Sequence, residues 1–231
     1  MLTGPQNLPE NLRSIRSRIE RAARAAGRDP ASITLVAVGK SQHVKHLRAA
    51  ATLGVTDFGE NYLQESAEKI ELLADLAPRW HFIGSVQANK TRAIAASFDW
   101  VHSVDRLAIA GRLAQQRPAH APALNICLQV ALAAEPNKGG LAPAALRETA
   151  AKVAALPRLR LRGLMCLPQP QADPAAQRRV FAGLRGLLED LNAEGFALDS
   201  LSMGMSADFE AAILEGATHV RIGTALFGAR P

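Results

Sequence analysis

The fold is indicated by the stretch Ile33-Thr34-Leu35-Val36-Ala37-Val38, which Gly39-Lys40-Ser41 follows directly. Such an uninterrupted apolar and β-branched run is typical of a parallel strand buried on both faces. A lysine is almost never fully buried without a partner, so Lys40 marks the carboxyl end of this strand. Either its amine simply emerges into solvent there, or it belongs to a functional site.

The same alternation of strand and helix continues along the chain. Further strands are predicted at 54–58, 80–83, 100–103, 124–130, 159–164, 198–202 and 218–222. Helices are predicted between them, including one that Asn61 caps and that runs to about residue 76. About eight strands alternating with helices favour a parallel barrel over an open sheet. We therefore predict one α/β domain over residues 1–231, a parallel (β/α)8 TIM-type barrel.

An extra helix is predicted ahead of the first strand, over residues 9–27. Leu12, Ile15 and Ile19 recur at helical spacing, and arginines cover the opposite face. We expect this helix to pack outside the barrel or across its bottom.

The composition argues against several classes of protein. The 27 Lys and Arg residues against 21 Asp and Glu give a net charge of +6 without a basic run, and aromatic residues make up only 4%. Both features argue against nucleic-acid binding. No signal peptide or membrane-spanning run is visible. Only two cysteines, Cys127 and Cys166, are present, and they lack metal-ligand spacing. We therefore expect a reducing cytoplasm, no disulfide and no bound metal.

Two turns of small residues near the C-terminus have the character of phosphate sites. Ser202-Met203-Gly204-Met205-Ser206 leads into a helix, and Gly204 is expected to let the backbone approach a ligand closely. The strand at 218–222 ends in Gly223-Thr224, whose N–H groups could bind the same anion. Arg221 is the single charge in that apolar strand end. The alternative is that both are ordinary strand-to-helix turns.

A parallel barrel gathers these residues at one rim, formed by the carboxyl ends of its strands. Positive charge nearby disfavours the protonated form of Lys40, and a neutral amine attacks an aldehyde to form a Schiff base. A lysine, a phosphate cup and ring-facing polar groups together indicate a pyridoxal phosphate site. His81 and His102 lie within strands and are interpreted as structural or hydrogen-bonded to neighbours. A nucleophilic role for Cys166 is not favoured.

Six stretches look like successive signatures of one family. They are LVAVGK at 35–40, FGENYLQE at 58–65, WHFIG at 80–84, HSVDR at 102–106, LRGLM at 161–165, and the segment 201–228. Over nearly its whole length the chain resembles the YggS/PROSC family of pyridoxal phosphate homeostasis proteins. The resemblance implies a fold type III barrel of the alanine racemase N-terminal type, with pyridoxal 5′-phosphate (PLP) as its cofactor. The site residues it implies are Lys40 for the Schiff base, Ser206, Gly223 and Thr224 for the phosphate, Arg221 for the pyridine nitrogen, and Asn61 and Met165 beside the cofactor.

The chain departs from the family pattern around the lysine. Gly39 and Ser41 stand where the family usually has serine and threonine, and Gln42 stands where a second lysine is common. The loop at 133–137, before Lys138, is less polar than in the family. These differences bear on the control of cofactor binding or release.

Two functions on this site remain open at the level of sequence. An arginine facing the pyridine nitrogen keeps that nitrogen unprotonated, which weakens the ring as an electron sink. Alanine racemases add a β-rich domain with a catalytic tyrosine, which we do not find after the last barrel strand. We therefore expect a non-catalytic, monomeric PLP carrier in cofactor homeostasis, with PLP-dependent apo-enzymes as partners. The alternative is a low-activity PLP-dependent racemase or decarboxylase; a nucleic-acid-binding protein is a third reading that no motif supports.

Overall fold

The computed structural model describes residues 7–132 and 139–228. The predictions for 133–137 and Lys138 lie outside these residues. The strands are β1 (Thr34–Val38), β2 (Asp57–Glu60), β3 (Arg79–Phe82), β4 (Trp100–Val104), β5 (Leu124–Gln129), β6 (Leu159–Met165), β7 (Ser200–Ser202) and β8 (His219–Ile222). All neighbouring strands are parallel and follow sequence order, and β8 pairs with β1 to close a barrel. The predicted parallel α/β barrel is confirmed.

Helices surround this barrel. They are α1 (Leu8–Ala25), α2 (Val44–Thr52), α3 (Leu63–Leu72), α4 (Thr91–Ser97), α5 (Leu107–Gln116), α6 (Pro143–Ala154), α7 (Pro174–Ala193), α8 (Phe209–Leu214) and α9 (Thr224–Phe227). Short 3-10 turns lie at Pro30–Ser32, Ala74–Leu76 and Ala88–Lys90. None of the helices in the described part of the chain is long and apolar enough to cross a membrane.

The two faces of the strands differ in chemistry. On β8, Val220 and Ile222 are fully buried in the apolar cluster that the strands form with the helices. His219 and Arg221 alternate with them and therefore point into the barrel, where both are buried as well. The apolar runs seen in the sequence thus account for the outer face of the strands, while the barrel interior contains many polar side chains.

The helix α1 lies on the outside of the barrel, one of its two predicted positions. It packs against α8 and α9. Asn11 donates a hydrogen bond to the carbonyl of Leu226 at 3.0 Å, and Arg18 forms a two-pronged ion pair with Glu210. Since α9 is only one turn long, α1 supplies the cover that a full helix after β8 would otherwise give.

Two local predictions were wrong. The strand β2 begins at Asp57, not at residue 54. Asn61 is not a helix cap, because α3 begins at Leu63 and its preceding residue, Tyr62, makes no side-chain cap. The backbone is still extended at Tyr62. It passes so close to Gly84 that a Cβ atom added to Gly84 would overlap the backbone of Asn61. Asn61 therefore lies in the connection between β2 and α3.

We expect Gly163→Ala to destabilise the barrel. A Cβ at Gly163 on β6 would overlap the carbonyl of Ser200 on β7, so the two strands would have to move apart. The expected loss in the free energy of unfolding is about 1–3 kcal/mol or more. Gly186→Ala is the matched control, because it lies within α7 with open space around it, and should stabilise by about 0.5–1 kcal/mol. Urea denaturation of both variants measures this, and wild-type stability in Gly163→Ala would contradict the packing described.

Candidate functional site

A cavity of about 320 Å³ opens at the carboxyl ends of the strands. Six of the seven residues predicted from the sequence line it, namely Lys40, Asn61, Ser206, Arg221, Gly223 and Thr224. They come from the ends of β1 and β2, from β8 itself, and from the turns after β7 and β8. Barrel closure thus brings together residues that are far apart in the chain.

Met165, the seventh predicted residue, is not among the lining residues. It is completely buried inside the barrel and packs with Trp100 and Cys127. Leu167, two positions further along, lines the cavity instead. The chain after β6 therefore reaches the cavity through Leu167 and not through Met165.

A larger cavity of about 510 Å³ lies beside the first and also includes Leu167. Arg179, which lines this larger cavity, forms an ion pair with the carboxylate of Asp173 at 3.6 Å. Size alone would favour this cavity, but the convergence of polar and titratable groups is the better indication of a binding site. The smaller cavity has an amine, a buried guanidinium and two turns of small residues, so we treat it as the candidate site.

The turn that presents Lys40 has an unusual backbone. Ser41 adopts a left-handed conformation with φ of 59°, which is costly for a residue with a side chain. Its N–H donates to Glu65 Oε1 at 2.6 Å, which holds the turn in place. The amine of Lys40 lies 5.0 Å from the centre of the Tyr62 ring, a favourable distance for a cation over an aromatic face.

The buried ammonium group of Lys69 holds the turn before Lys40 against β2 and α3. The ammonium group of Lys69 on α3 donates to the carbonyl of Gly39 at 2.7 Å, to Glu60 Oε1 at 2.8 Å and to Glu65 Oε1 at 2.6 Å. An ammonium group has three donors, and all three are used here. Lys69 therefore ties the end of β1 to β2 and α3.

Glu60 is fully buried, and its Oε2 has no hydrogen-bond partner among the described residues. Burial raises the pKa of Glu60 to about 7, although the positive charge of Lys69 partly opposes the rise. A Cβ at Gly39 would lie 2.5 Å from Glu60 Oε1 and 2.9 Å from a methyl group of Leu47. The glycine thus leaves room for this carboxyl group.

Arg221 lies at the floor of the cavity and is 3% exposed. Its guanidinium donates to Ser202 Oγ at 2.6 Å and to the carbonyl of Cys166 at 2.9 Å. Burial lowers its pKa, but an arginine remains protonated in proteins. The site therefore contains a fixed, buried positive charge.

The two predicted phosphate turns lie next to each other. Ser206 Oγ accepts a hydrogen bond from the N–H of Ala225 at 3.3 Å. Gly223 and Thr224 begin α9, where helix geometry leaves the first N–H groups without partners inside the helix. Gly223, Thr224 and the hydroxyl-bearing Ser206 line the same cavity, where their N–H and O–H groups can donate hydrogen bonds to an anion.

Gly204 has a packing role in addition to the backbone bend expected from the sequence. Its φ is +88°, and a Cβ there would lie 2.6 Å from Cβ of Ala212 and 2.9 Å from Cα of Phe209. Glycine is needed at this position because α8 packs against the turn, and Gly204 does not line the cavity.

The sequence did not identify the buried side chains whose hydrogen bonds position the residues of the site. Lys69 had a recognisable signal, since Glu65 precedes it by four residues on one helix face. His81 and His102 were correctly interpreted as hydrogen-bonded: His81 Nδ1 lies 2.9 Å from His102 Nε2, and His102 Nδ1 lies 2.6 Å from Ser202 Oγ. No local pattern indicated that Ser202 would join them to Arg221.

Comparison with known proteins agrees with this site. The family described as alanine racemase, N-terminal domain, matches residues 11–231. The pyridoxal phosphate homeostasis protein of Pseudomonas aeruginosa is 58% identical over 223 residues, which cover 96% of each chain. The protein of that name from Escherichia coli K12 is 46% identical over 227 residues, 97% of each chain. The structure of PipY from Synechococcus elongatus PCC7942 with PLP bound has a TM-score of 0.81 at 37% identity, covering 91% of this chain and 100% of that one.

The closed parallel barrel and the match over residues 11–231 define a protein of the alanine racemase N-terminal class. Within that class, the chain belongs to the family of pyridoxal phosphate homeostasis proteins. The resemblance noted in the sequence is confirmed.

We expect Glu60→Gln to change how stability depends on pH. The pKa of Glu60 rises from 4.5 to about 7 on folding, so the folded protein binds this proton more tightly than the unfolded chain. The stability that Glu60 contributes is present below pH 4.5 and is lost as the pH rises through about 7. The variant should therefore gain stability relative to wild type between pH 4 and pH 8, on the order of 2–3 kcal/mol.

Urea denaturation at the two pH values gives this difference. Glu68→Gln, which removes an exposed carboxylate from the neighbouring helix α3, is the control for loss of a negative charge. A stability difference between Glu60→Gln and wild type that is the same at both pH values would contradict the assignment.

Proposed function

We propose that this chain binds PLP in the 320 Å³ cavity and acts in PLP homeostasis as a carrier of the cofactor. The observation that carries the proposal is the donor set of the cavity. An amine, a buried guanidinium and a small-residue turn match a ligand with an aldehyde, an aromatic nitrogen and a phosphate. The volume is at the lower end of the range for small-molecule sites, about 300–1,000 Å³. Residues 1–231 form, in this proposal, one cofactor-binding domain.

Each group has a distinct role in this proposal. When bound, PLP supplies an aldehyde that a lysine amine can capture, and Lys40 is the amine on the cavity wall. Arg221 donates a hydrogen bond to the ring nitrogen and keeps a proton away from it. The phosphate is bound by Ser206, Gly223 and Thr224. Asn61 lies beside the ring, and Met165 supports the site from inside the barrel without contacting the ligand.

We further propose that the protein sustains no catalysis. Proton transfer on both faces of a carbon needs two groups that exchange protons. Among the described residues that line the cavity, the ionisable side chains are Lys40 and Arg221, and arginine does not release its proton. A monomer that passes the cofactor to PLP-dependent apo-enzymes is the role that fits such a site.

One observation favours the alternative of a low-activity racemase or decarboxylase. The ring of Tyr62 lies beside Lys40, and a phenol can exchange protons. Incubation of the PLP-loaded protein with single amino-acid enantiomers distinguishes the two functions. Sustained turnover that Tyr62→Phe abolishes would establish the enzyme in place of the carrier.

We expect Lys40→Ala to abolish covalent attachment of PLP. Borohydride reduction of the PLP-loaded protein, followed by peptide mass spectrometry, should find a pyridoxyl group on Lys40 in wild type. Lys45→Ala is the control, because Lys45 is an exposed lysine on the neighbouring helix α2, and its adduct should match that of wild type. A stoichiometric adduct on another lysine in Lys40→Ala would show that the assignment is wrong.

We expect Ser206→Ala to weaken the binding of PLP much more than the binding of unphosphorylated pyridoxal. A hydrogen bond to a charged group contributes about 1.5–3 kcal/mol, which corresponds to a loss of roughly tenfold or more in affinity. Titration of both ligands measures the two dissociation constants, with the exposed Ser97→Ala as the control variant. Equal losses for the two ligands would place Ser206 away from the phosphate.

A further inference from the structure

A continuous chain of buried polar side chains crosses the inside of the barrel. Arg221 Nη1 lies 2.6 Å from Ser202 Oγ, which lies 2.6 Å from His102 Nδ1. His102 Nε2 lies 2.9 Å from His81 Nδ1, and His81 Nε2 lies 2.9 Å from Asp57 Oδ1. The five residues come from five different strands, and none is more than 4% exposed. We call this series of hydrogen-bonded side chains the core relay.

The far end of the core relay is an ion pair at the opposite end of the barrel. Asp57 and Arg79 are the first residues of β2 and β3, whereas the cavity lies at the carboxyl ends of the strands. Arg79 donates to both carboxylate oxygens of Asp57, each at 2.7 Å. Burial alone would raise the pKa of Asp57, but hydrogen bonds from His81 and Arg79 outweigh it and hold this pKa below its usual range. Asp57 is therefore an ionised acceptor.

The groups at the two ends of the core relay, Arg221 and Asp57, determine the position of each proton in the hydrogen bonds between them. A guanidinium can only donate, so Ser202 Oγ accepts from Arg221 and gives its own hydrogen to His102 Nδ1. Burial, together with the nearby positive charge of Arg221, lowers the pKa of His102 well below its usual value. The single proton of His102 is then on Nε2 and is donated to His81 Nδ1. The proton of His81 is in turn on Nε2 and is donated to Asp57.

We propose that the core relay is a positioning device, in which five hydrogen-bonding groups aligned in one direction hold the Arg221 guanidinium in the cavity floor and couple it to Asp57 at the other end of the barrel. The proposal deepens the proposed function, because it explains how the residue assigned to the ring nitrogen is oriented. The arrangement itself depends only on residues of this chain. The positioning residues are Ser202, His102, His81 and Asp57.

The proton positions can be read directly in the protein without PLP. Nitrogen-15 NMR correlations of the imidazole rings distinguish the two neutral tautomers and the imidazolium form. We expect both His81 and His102 as neutral Nε2–H tautomers at pH 7. An Nδ1–H tautomer of either ring, or a doubly protonated His81, would reverse at least one hydrogen bond and overturn the relay. Because no cofactor is present, this outcome is independent of the proposed function.

The coupling is tested with Asp57→Asn, which keeps the size of the side chain and removes its charge. We expect the side-chain signals of His102 and Arg221 to shift in this variant, again without PLP. Asp199→Asn is the matched control: Asp199 also pairs with an arginine, Arg162, next to the start of a strand, but lies outside the relay. Equal shifts in the two variants would show that no coupling runs through the relay. If Asp57→Asn does not fold, the tautomers of the unchanged protein still decide the proposal.

In protein loaded with PLP, the absorbance maximum of the cofactor reports the electronic environment of its ring. Asp57→Asn should shift this maximum, and Asp199→Asn should not. A maximum that stays constant in a variant whose Arg221 signals have moved would disprove the contact of Arg221 with the ring and leave the relay intact. The failure of the proposed function and the failure of the relay are thereby distinguishable.

Discussion

The structure depends on the burial of a charged guanidinium inside a barrel. Removing a charge from water is costly unless hydrogen bonds and opposite charge compensate it. Arg221 donates the hydrogen bonds described here to two neutral acceptors, a hydroxyl and a carbonyl. The ionised Asp57 is connected to it through Ser202 and two imidazoles. This requirement explains why the barrel interior departs from the layers of branched apolar residues usual in such folds. The apolar packing is instead placed on the outer faces of the strands.

A second buried charge organises the other side of the cavity. Lys69 satisfies the end of β1 and two carboxyl groups at once, and the same carboxylate of Glu65 holds the left-handed turn after Lys40. The backbone that carries Lys40 is thus held by several hydrogen bonds, while the side chain of Lys40 itself is half-buried. Such an arrangement keeps an amine accessible while its point of attachment stays rigid.

The features that could be predicted from the sequence are those that local patterns encode. The apolar run before Lys40 indicated a parallel strand, and the repeated alternation indicated the barrel. Because the rim of a barrel collects strand ends, six residues could be placed at one site before any contact was known. The core relay could not be predicted, since its hydrogen bonds join strands whose spacing is decided only when the barrel closes. The packing role of Gly204 could not be predicted for a related reason: α8 lies against it, and a glycine in a turn does not show which neighbour excludes a side chain.

The position of α1 has a consequence for the synthesis of the protein. Its buried face rests on α8 and α9, and the hydrogen bond from Asn11 to Leu226 spans 215 positions of the chain. Translation at about 5–20 residues per second separates the appearance of these two segments by roughly 10–40 s. Throughout that interval the apolar side of the first helix has no native surface to cover it, and β1 has no β8 to pair with. Until β8, α8 and α9 are synthesised, the nascent chain therefore exposes both the apolar face of α1 and the unpaired edge of β1.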